Sequence, residues 1–274
     1  MQIVLPDVNH VLHSLINVES TFDGKKQKID LWVEEHRTVI NENKKLIEHS
    51  CEENDIKILL MFLQAVLVRA MTGEKGQKVF NELSRIIRRK IDLQEENYIN
   101  ALKKAEYRWG AEKGSMVISD IIHYFGEKLD WKWRSYLSAA DENWQTNFIH
   151  DELLKIKNIG FKLRDLALSN FNPHYAAFDL HVSRVATRIG LLNYGFELLN
   201  ESGIEMGNNP ADAKNYLFLH RLFIKLSKMT GEKFLAVDFD RIFWHFGKTI
   251  CKSKPKCSYC PIEQTCLTGK YKIC

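Results

Sequence analysis

The chain has 274 residues, enough for one large domain or two small ones. Hydrophobic residues make up 45% and charged residues 27%, which excludes an intrinsically disordered chain. A net charge of +4 is compatible with nucleic acid as a partner, but by itself selects none.

Only five prolines, few strand-like runs and many segments of helical period predict an all-α protein. The start, MQIVLPDVNHVLH, lacks a basic region and a long apolar core, so no signal peptide is expected. Residues 1–54 read as two or three helices with a polar surface and a turn at Phe22-Asp23-Gly24. Ile56 to Met71 forms the central apolar helix. Its most apolar run, Ile58 to Val68, is broken by Gln64 and falls short of the roughly 20 residues that span a membrane. Arg85, Arg88, Arg89 and Lys90 form a basic cluster that suits a helix C-terminus. Residues 98–125 read as two helices around Gly110 to Gly114. Residues 126–147, with WKWRSYLSAADENW, form either a nucleic-acid contact or a lid over the core.

Residues 153–190, LLKIKNIGFKLRDLALSNFNPHYAAFDLHVSRVATRIG, read as helix, four-residue hairpin, helix, loop, helix. Leu153, Leu154 and Ile156 close the first helix. Lys157, Asn158, Ile159 and Gly160 make the turn, and Phe161 opens the second helix. Glycine takes a positive φ without strain and asparagine is the next most tolerant, so Gly160 and Asn158 permit a tight turn. Ile159 plugs the gap between the two helices. A helix starting straight after such a turn presents N–H groups to an anion. Lys162 lies in its first turn, where the dipole disfavours an ammonium. Asp179 opens a further helix that Gly190 ends. More helices follow over 191–250, with a polar loop near Gly203 to Pro210 and a helix from Asp240 to Ile250.

Four of the six cysteines, Cys251, Cys257, Cys260 and Cys266, crowd together as C-x5-C-x2-C-x5-C, with Cys51 and Cys274 apart. Disulfide scaffolds spread their cysteines, so this spacing predicts a metal site in a reducing, cytoplasmic setting. Four thiolates so close suit either Zn²⁺ or a [4Fe–4S] cluster.

The hairpin, Lys162 and Asp179 together resemble the helix-hairpin-helix, Gly/Pro…Asp superfamily of DNA glycosylases, to which endonuclease III belongs. The superfamily carries V-D-x-H-[IV]-x-R-[VI], and this chain has Phe178-Asp179-Leu180-His181-Val182-Ser183-Arg184-Val185. Its hairpin reads L-P-G-[VI]-G-x-K. This chain has Ile156-Lys157-Asn158-Ile159-Gly160-Phe161-Lys162, without the proline and the first glycine. FGKTICKSKPKCSYCPIEQTC resembles the iron–sulfur loop of endonuclease III, the adenine-mismatch glycosylases and the plant DEMETER demethylases. The first cysteine gap is one residue shorter than theirs. The resemblance covers roughly residues 55–270 and is absent from the first fifty.

The resemblance implies two helical domains with a DNA cleft between them. One is a six-helix barrel over 55–177, with the helix-hairpin-helix at about 153–170. The other is an iron–sulfur domain from 1–54 and 178–274, with its cluster loop at 251–266. It implies a monomeric enzyme of double-stranded DNA that flips out a damaged base and removes it, nicking the strand by β-elimination. Lys162 is the implied nucleophile and Asp179 its carboxylate partner. Lys157, Asn158, Ile159 and Gly160 would hold phosphate, and Met71 would fill the hole left by the base. Tyr107 and Trp109 would sandwich that base, and Lys254 and Lys256 would grip phosphate. Cys251, Cys257, Cys260 and Cys266 would hold a [4Fe–4S] cluster, with zinc the alternative. In a prokaryote such an enzyme works at the nucleoid.

Oxidised pyrimidine is the expected substrate, because endonuclease III combines the lysine with the cluster. The alternatives are 8-oxoguanine, 5-methylcytosine, an alkylated or mismatched base, a non-catalytic DNA-structure binder, and a zinc-stabilised helical module.

Overall fold

Helix is the regular structure of almost every stretch that the computed structural model describes, namely residues 7–22, 25–68, 71, 73–143, 150–191 and 213–270. Helix α1 (Val8–Ile16) starts at Asp7, whose Oδ1 accepts the Asn9 N–H at 2.9 Å. A two-stranded antiparallel ribbon follows, β1 (Glu19–Phe22) and β2 (Lys25–Lys28), pairing Glu19 with Lys28 and Phe22 with Lys25. The all-helical reading of residues 1–54 misses this ribbon. ESTF and KKQK are too short and too polar to show the apolar alternation that marks a strand. Helix α2 is Ile29–Glu48.

Helix α3 is Glu52–Leu67, not Ile56 to Met71. It begins earlier because Glu52, Glu53 and Asp55 favour the positive end of the helix dipole, and it ends with Val68 as its C-cap. Next come α4 (Gly73–Ile86), α5 (Glu95–Lys104) and α6 (Ala111–Ile122), the last running into a π-helical turn over His123–Lys128. The remaining helices are α7 (Trp133–Asn143), α8 (Phe161–Leu168), α9 (Leu180–Arg188), α10 (Ala213–Met229), α11 (Ala236–Thr249) and α12 (Leu267–Lys270). The expected polar loop at Gly203 to Pro210 lies outside the described residues. No described helix is long and apolar enough to cross a membrane.

The chain divides into two compact units, Met1–Thr38 with Pro173–Cys274, and Val39–Asn172. The sequence-based boundaries fall at 54/55 and 177/178 instead.

In the 39–172 unit, α3 packs against α4, α6 and α8. Phe62, wholly buried on α3, has Phe125 at 5.1 Å, Trp133 at 5.4 Å and Phe171 stacked at 5.6 Å. Trp133 also stacks on Phe125 at 4.2 Å. Trp131 follows Asp130 in the left-handed region (φ 56° and 49°), which turns the chain back so that the indole covers Gly126. Lys90 lies 4.6 Å from the centre of that ring while its Nζ pairs with Asp55 at 2.6 Å. Trp131 and Trp133 therefore belong to the packing of this unit, and Trp144 lies outside the described residues.

In the other unit α11 is the hub, packing against α1, α9 and α10. Phe178, Phe223, Phe239 and Phe243 form its buried aromatic core. Asp238 accepts Arg37 Nε with both oxygens at 3.0 Å and caps α11 at the Leu235 N–H, 2.7 Å away.

Candidate functional site

The hairpin is built differently from its sequence reading. Glu152–Lys155 make one 3₁₀ turn, and Ile156 is already extended. The Ile159 N–H closes a turn onto the Ile156 carbonyl at 3.1 Å. The third residue of that turn, Asn158, takes φ 73°, which makes it a type II turn, where glycine or asparagine is required. Gly160 does not supply the positive φ: it is extended at φ −110°, and a Cβ there would meet nothing within 4 Å. Asn158 thus stands in for the first glycine of the family pattern. The bareness of Gly160 leaves the start of α8 without a side-chain cap.

Buried side chains hold this turn from beneath. Leu153 is fully buried and Ile159 is 5% exposed, plugging the gap. Asp151 Oδ1 accepts the Leu153 N–H at 2.9 Å, and its Oδ2 accepts the Tyr136 hydroxyl at 2.9 Å. Burial pushes the Asp151 carboxyl above the ordinary aspartate value, with Arg164 and these hydrogen bonds acting against it. Burial likewise pushes the Tyr136 phenol well up, which keeps it a donor. In α8, Arg164 and Asp165 form a buried ion pair with Nη2 to Oδ1 at 2.6 Å. Sequence inspection passes over Asp151, Tyr136 and this pair, because their meaning lies in burial. Lys162 is half-buried in the first turn of α8, and Lys157 is exposed on the turn itself.

The N-cap of α9 is Asp179, whose Oδ1 accepts the His181 and Val182 N–H groups at 2.8 and 3.0 Å. The segment leading to it is fixed at three points. Val237 N–H donates to the Pro173 carbonyl at 3.0 Å, Ala177 N–H to Asp240 Oδ2 at 3.0 Å, and the Tyr216 hydroxyl to the Ala176 carbonyl at 3.2 Å. Below the cap, α9 lies close on α11 at Gly247, where a Cβ would stand 2.9 Å from the His181 carbonyl oxygen. Gly190, at φ 93°, follows the far end of α9.

That far end carries Arg188. Its guanidinium donates to the Lys252 and Ser253 carbonyls and lies 3.6 Å from Cys251 Sγ. Its carbonyl accepts from Cys266 Sγ at 3.2 Å and Thr268 Oγ1 at 3.0 Å. One helix therefore has the candidate carboxylate at its start and the cysteine loop at its end.

Cys251, Cys257, Cys260 and Cys266 all line one cavity, with Arg188 and Phe246. Backbone N–H groups of Thr268 and Gly269 reach Cys266, and that of Ile262 reaches Cys260. Burial pushes the Cys260 thiol up to about 11 and raises Cys266. Cys257 is engaged in a disulfide, while Cys251, Cys260 and Cys266 are free thiols. Among the described residues no three Cys, His, Asp or Glu side chains close around one point that a single ion could occupy.

The remaining candidates lie on separate elements of the chain. Met71 is half-buried just beyond α3, its N–H on the Val68 carbonyl at 2.9 Å. Tyr107 and Trp109 lie in the loop between α5 and α6. The Tyr107 ring packs against Gly114, where a Cβ would be 2.9 Å from it, whereas Trp109 is 40% exposed with Arg108 over its ring at 5.1 Å. Lys254 and Lys256 are exposed on the cysteine loop.

A turn that leads a helix start bearing a lysine, and an aspartate-capped helix bearing a cysteine loop, are both present in this all-α fold. No family model matches the chain. It is 31% identical to endonuclease III of Rickettsia felis (strain ATCC VR-1525 / URRWXCal2) over 128 residues, 45% of this chain and 49% of that protein. The chain thus spans about half the length of the curated relative it matches. Its fold is similar to that of a trapped covalent endonuclease III–DNA intermediate, an estranged-adenine complex. The TM-score is 0.50 at 21% identity, covering 88% of this chain and 98% of that one. A non-covalent endonuclease III–DNA complex gives the same TM-score and identity, with 88% and 97% covered. The chain is thus similar in part of its sequence to endonuclease III and similar in fold to endonuclease III structures.

Proposed function

We propose that the chain is a monomeric, cytoplasmic base-excision DNA glycosylase with lyase activity, acting on duplex DNA that contains a damaged base. The observation that carries this reading is Lys162, half-buried in the first turn of a helix whose start has no side-chain cap. An anion at that start meets N–H groups, and the hairpin residues Lys157 to Gly160 face the phosphate beside it. A base inside a duplex is out of reach, so it is flipped out, most easily where its pairing is already weak. As the base leaves, the sugar becomes cation-like, and the Asp179 carboxylate stabilises that charge or takes the nucleophile's proton. The Lys162 amine attacks C1′ and displaces the base. Opening of the sugar ring gives a Schiff base, and loss of a C2′ proton expels the 3′-phosphate. Met71 fills the vacated stack, and Tyr107 and Trp109 face the expelled base.

The cysteine set is read as the seat of a [4Fe–4S] cluster, with zinc the alternative. The support is that all four cysteines line one cavity and that backbone N–H groups reach Cys260 and Cys266. Cys257 would complete the set only as a free thiol, after a cellular thiol had reduced its disulfide by exchange. The cluster's contribution when bound is structural. Arg188 and the loop then hold Lys254 and Lys256 towards phosphate.

A panel of duplexes, each with one modified base, tests the reading. Strand cleavage at an oxidised pyrimidine is expected. Binding without base release from any duplex would contradict enzymatic function.

A further inference from the structure

The loop between Cys251 and Cys260 carries a feature that the chemistry at Lys162 and Asp179 does not use. Tyr259 is 80% exposed, the most exposed of the large apolar side chains described. A lone exposed tyrosine needs no explanation, but this one has a setting. Lys252, Lys254 and Lys256 are exposed on the same short loop, and none of them pairs with a carboxylate among the described residues. The ring is carried on backbone that is fastened on both sides. The Lys256 N–H bonds to the Ile250 carbonyl at 3.1 Å, Tyr259 N–H to Lys256 at 3.1 Å, and Cys260 N–H to Cys257 at 2.8 Å. Arg188 holds the Lys252 and Ser253 carbonyls.

We propose that Tyr259 is a further DNA-backbone contact. Its ring lies against a deoxyribose, and its hydroxyl donates to a phosphate of the strand that the three lysines grip. A DNA strand alternates anionic phosphates with apolar sugar faces, which matches exposed ammonium groups and one exposed ring carried on the same short loop. Tyrosine serves both, since it offers an apolar body and a donor at the tip. The inference rests on the DNA-binding part of the proposed function.

The test is fluorescence anisotropy of the full chain with a labelled duplex carrying a tetrahydrofuran abasic analogue, titrated over a salt series. Tyr259→Ser is expected to raise Kd roughly tenfold and leave the salt slope unchanged, since it removes no charge. Tyr259→Phe, which loses only the donor, raises Kd about threefold. Lys254→Ala instead lowers the salt slope by about one. An equal melting temperature checks that the Tyr259 variants are folded. Tyr259→Ser binding as tightly as the unaltered chain overturns the inference alone and assigns the ring to a protein-facing surface. An unaltered chain that holds no duplex at any salt overturns the proposed function, and the inference with it.

Discussion

Two helix starts in this protein differ in what fills them. The start of α9 is filled by its own Asp179, which accepts two N–H groups with one carboxylate oxygen. The start of α8 has Gly160 before it and no side-chain cap. A polar cap satisfies a helix from within, whereas a bare start suits an anion from outside. The supports differ to match. The α9 start rests on Asp240, Tyr216 and a close approach at Gly247. The α8 start rests on a type II turn held over Leu153, Ile159 and the Asp151–Tyr136 pair.

Removing the support under one start, and not the other, is the sharpest way to break this contrast. Leu153→Ala empties a fully buried position beneath the hairpin and should cost about 2–5 kcal/mol, read by urea unfolding. Unchanged stability would mean that the hairpin does not depend on that packing.

Asp179 separates capping from charge. Asp179→Ala loses the cap and should cost about 1 kcal/mol of stability. Asp179→Asn keeps an oxygen for the two N–H groups, so its stability should stay close to that of the unaltered chain. Both variants should cripple base release in single-turnover assays while DNA binding persists. Full base release by Asp179→Asn would reduce the residue to a cap.

Iron content tests the far end of α9. Protein purified aerobically should be yellow-brown and carry iron, and Cys266→Ser should lose both colour and iron. Colourless, zinc-loaded protein would reverse the assignment.

The smallest effect concerns pH. Asp151 has its folded value raised above 3.8, so the folded state favours its protonated form. The stability it lends is present below 3.8 and is lost as pH rises through the raised folded value. Asp151→Asn, which cannot ionise, should therefore gain on the unaltered chain as pH climbs from 4 towards neutrality. A constant difference across that range would contradict the burial.

The two starts were not equally legible in the sequence. Asp179 and Gly190 bracket α9 by local chemistry alone, a capping aspartate before and a glycine at positive φ after, so that helix could be read directly. At the hairpin, local chemistry permits two residues to take the positive φ. Tertiary structure chose Asn158 and left Gly160 extended. Arg188 carries no local signal, because its partner lies 64 residues away, and the bond of Asp151 to Tyr136 spans 15 residues. For Trp131 and Trp133 the sequence permits two readings, and the contacts with Lys90 and Phe125 make them packing residues. The β1–β2 ribbon escaped because it buries little.

Trapping with borohydride tests the central claim most directly, since it captures the bond between the enzyme's amine and the sugar. With duplex carrying an oxidised pyrimidine, the unaltered chain should form a covalent DNA adduct. Lys162→Ala should form none. An adduct that persists undiminished in Lys162→Ala would place the nucleophile elsewhere and contradict the account.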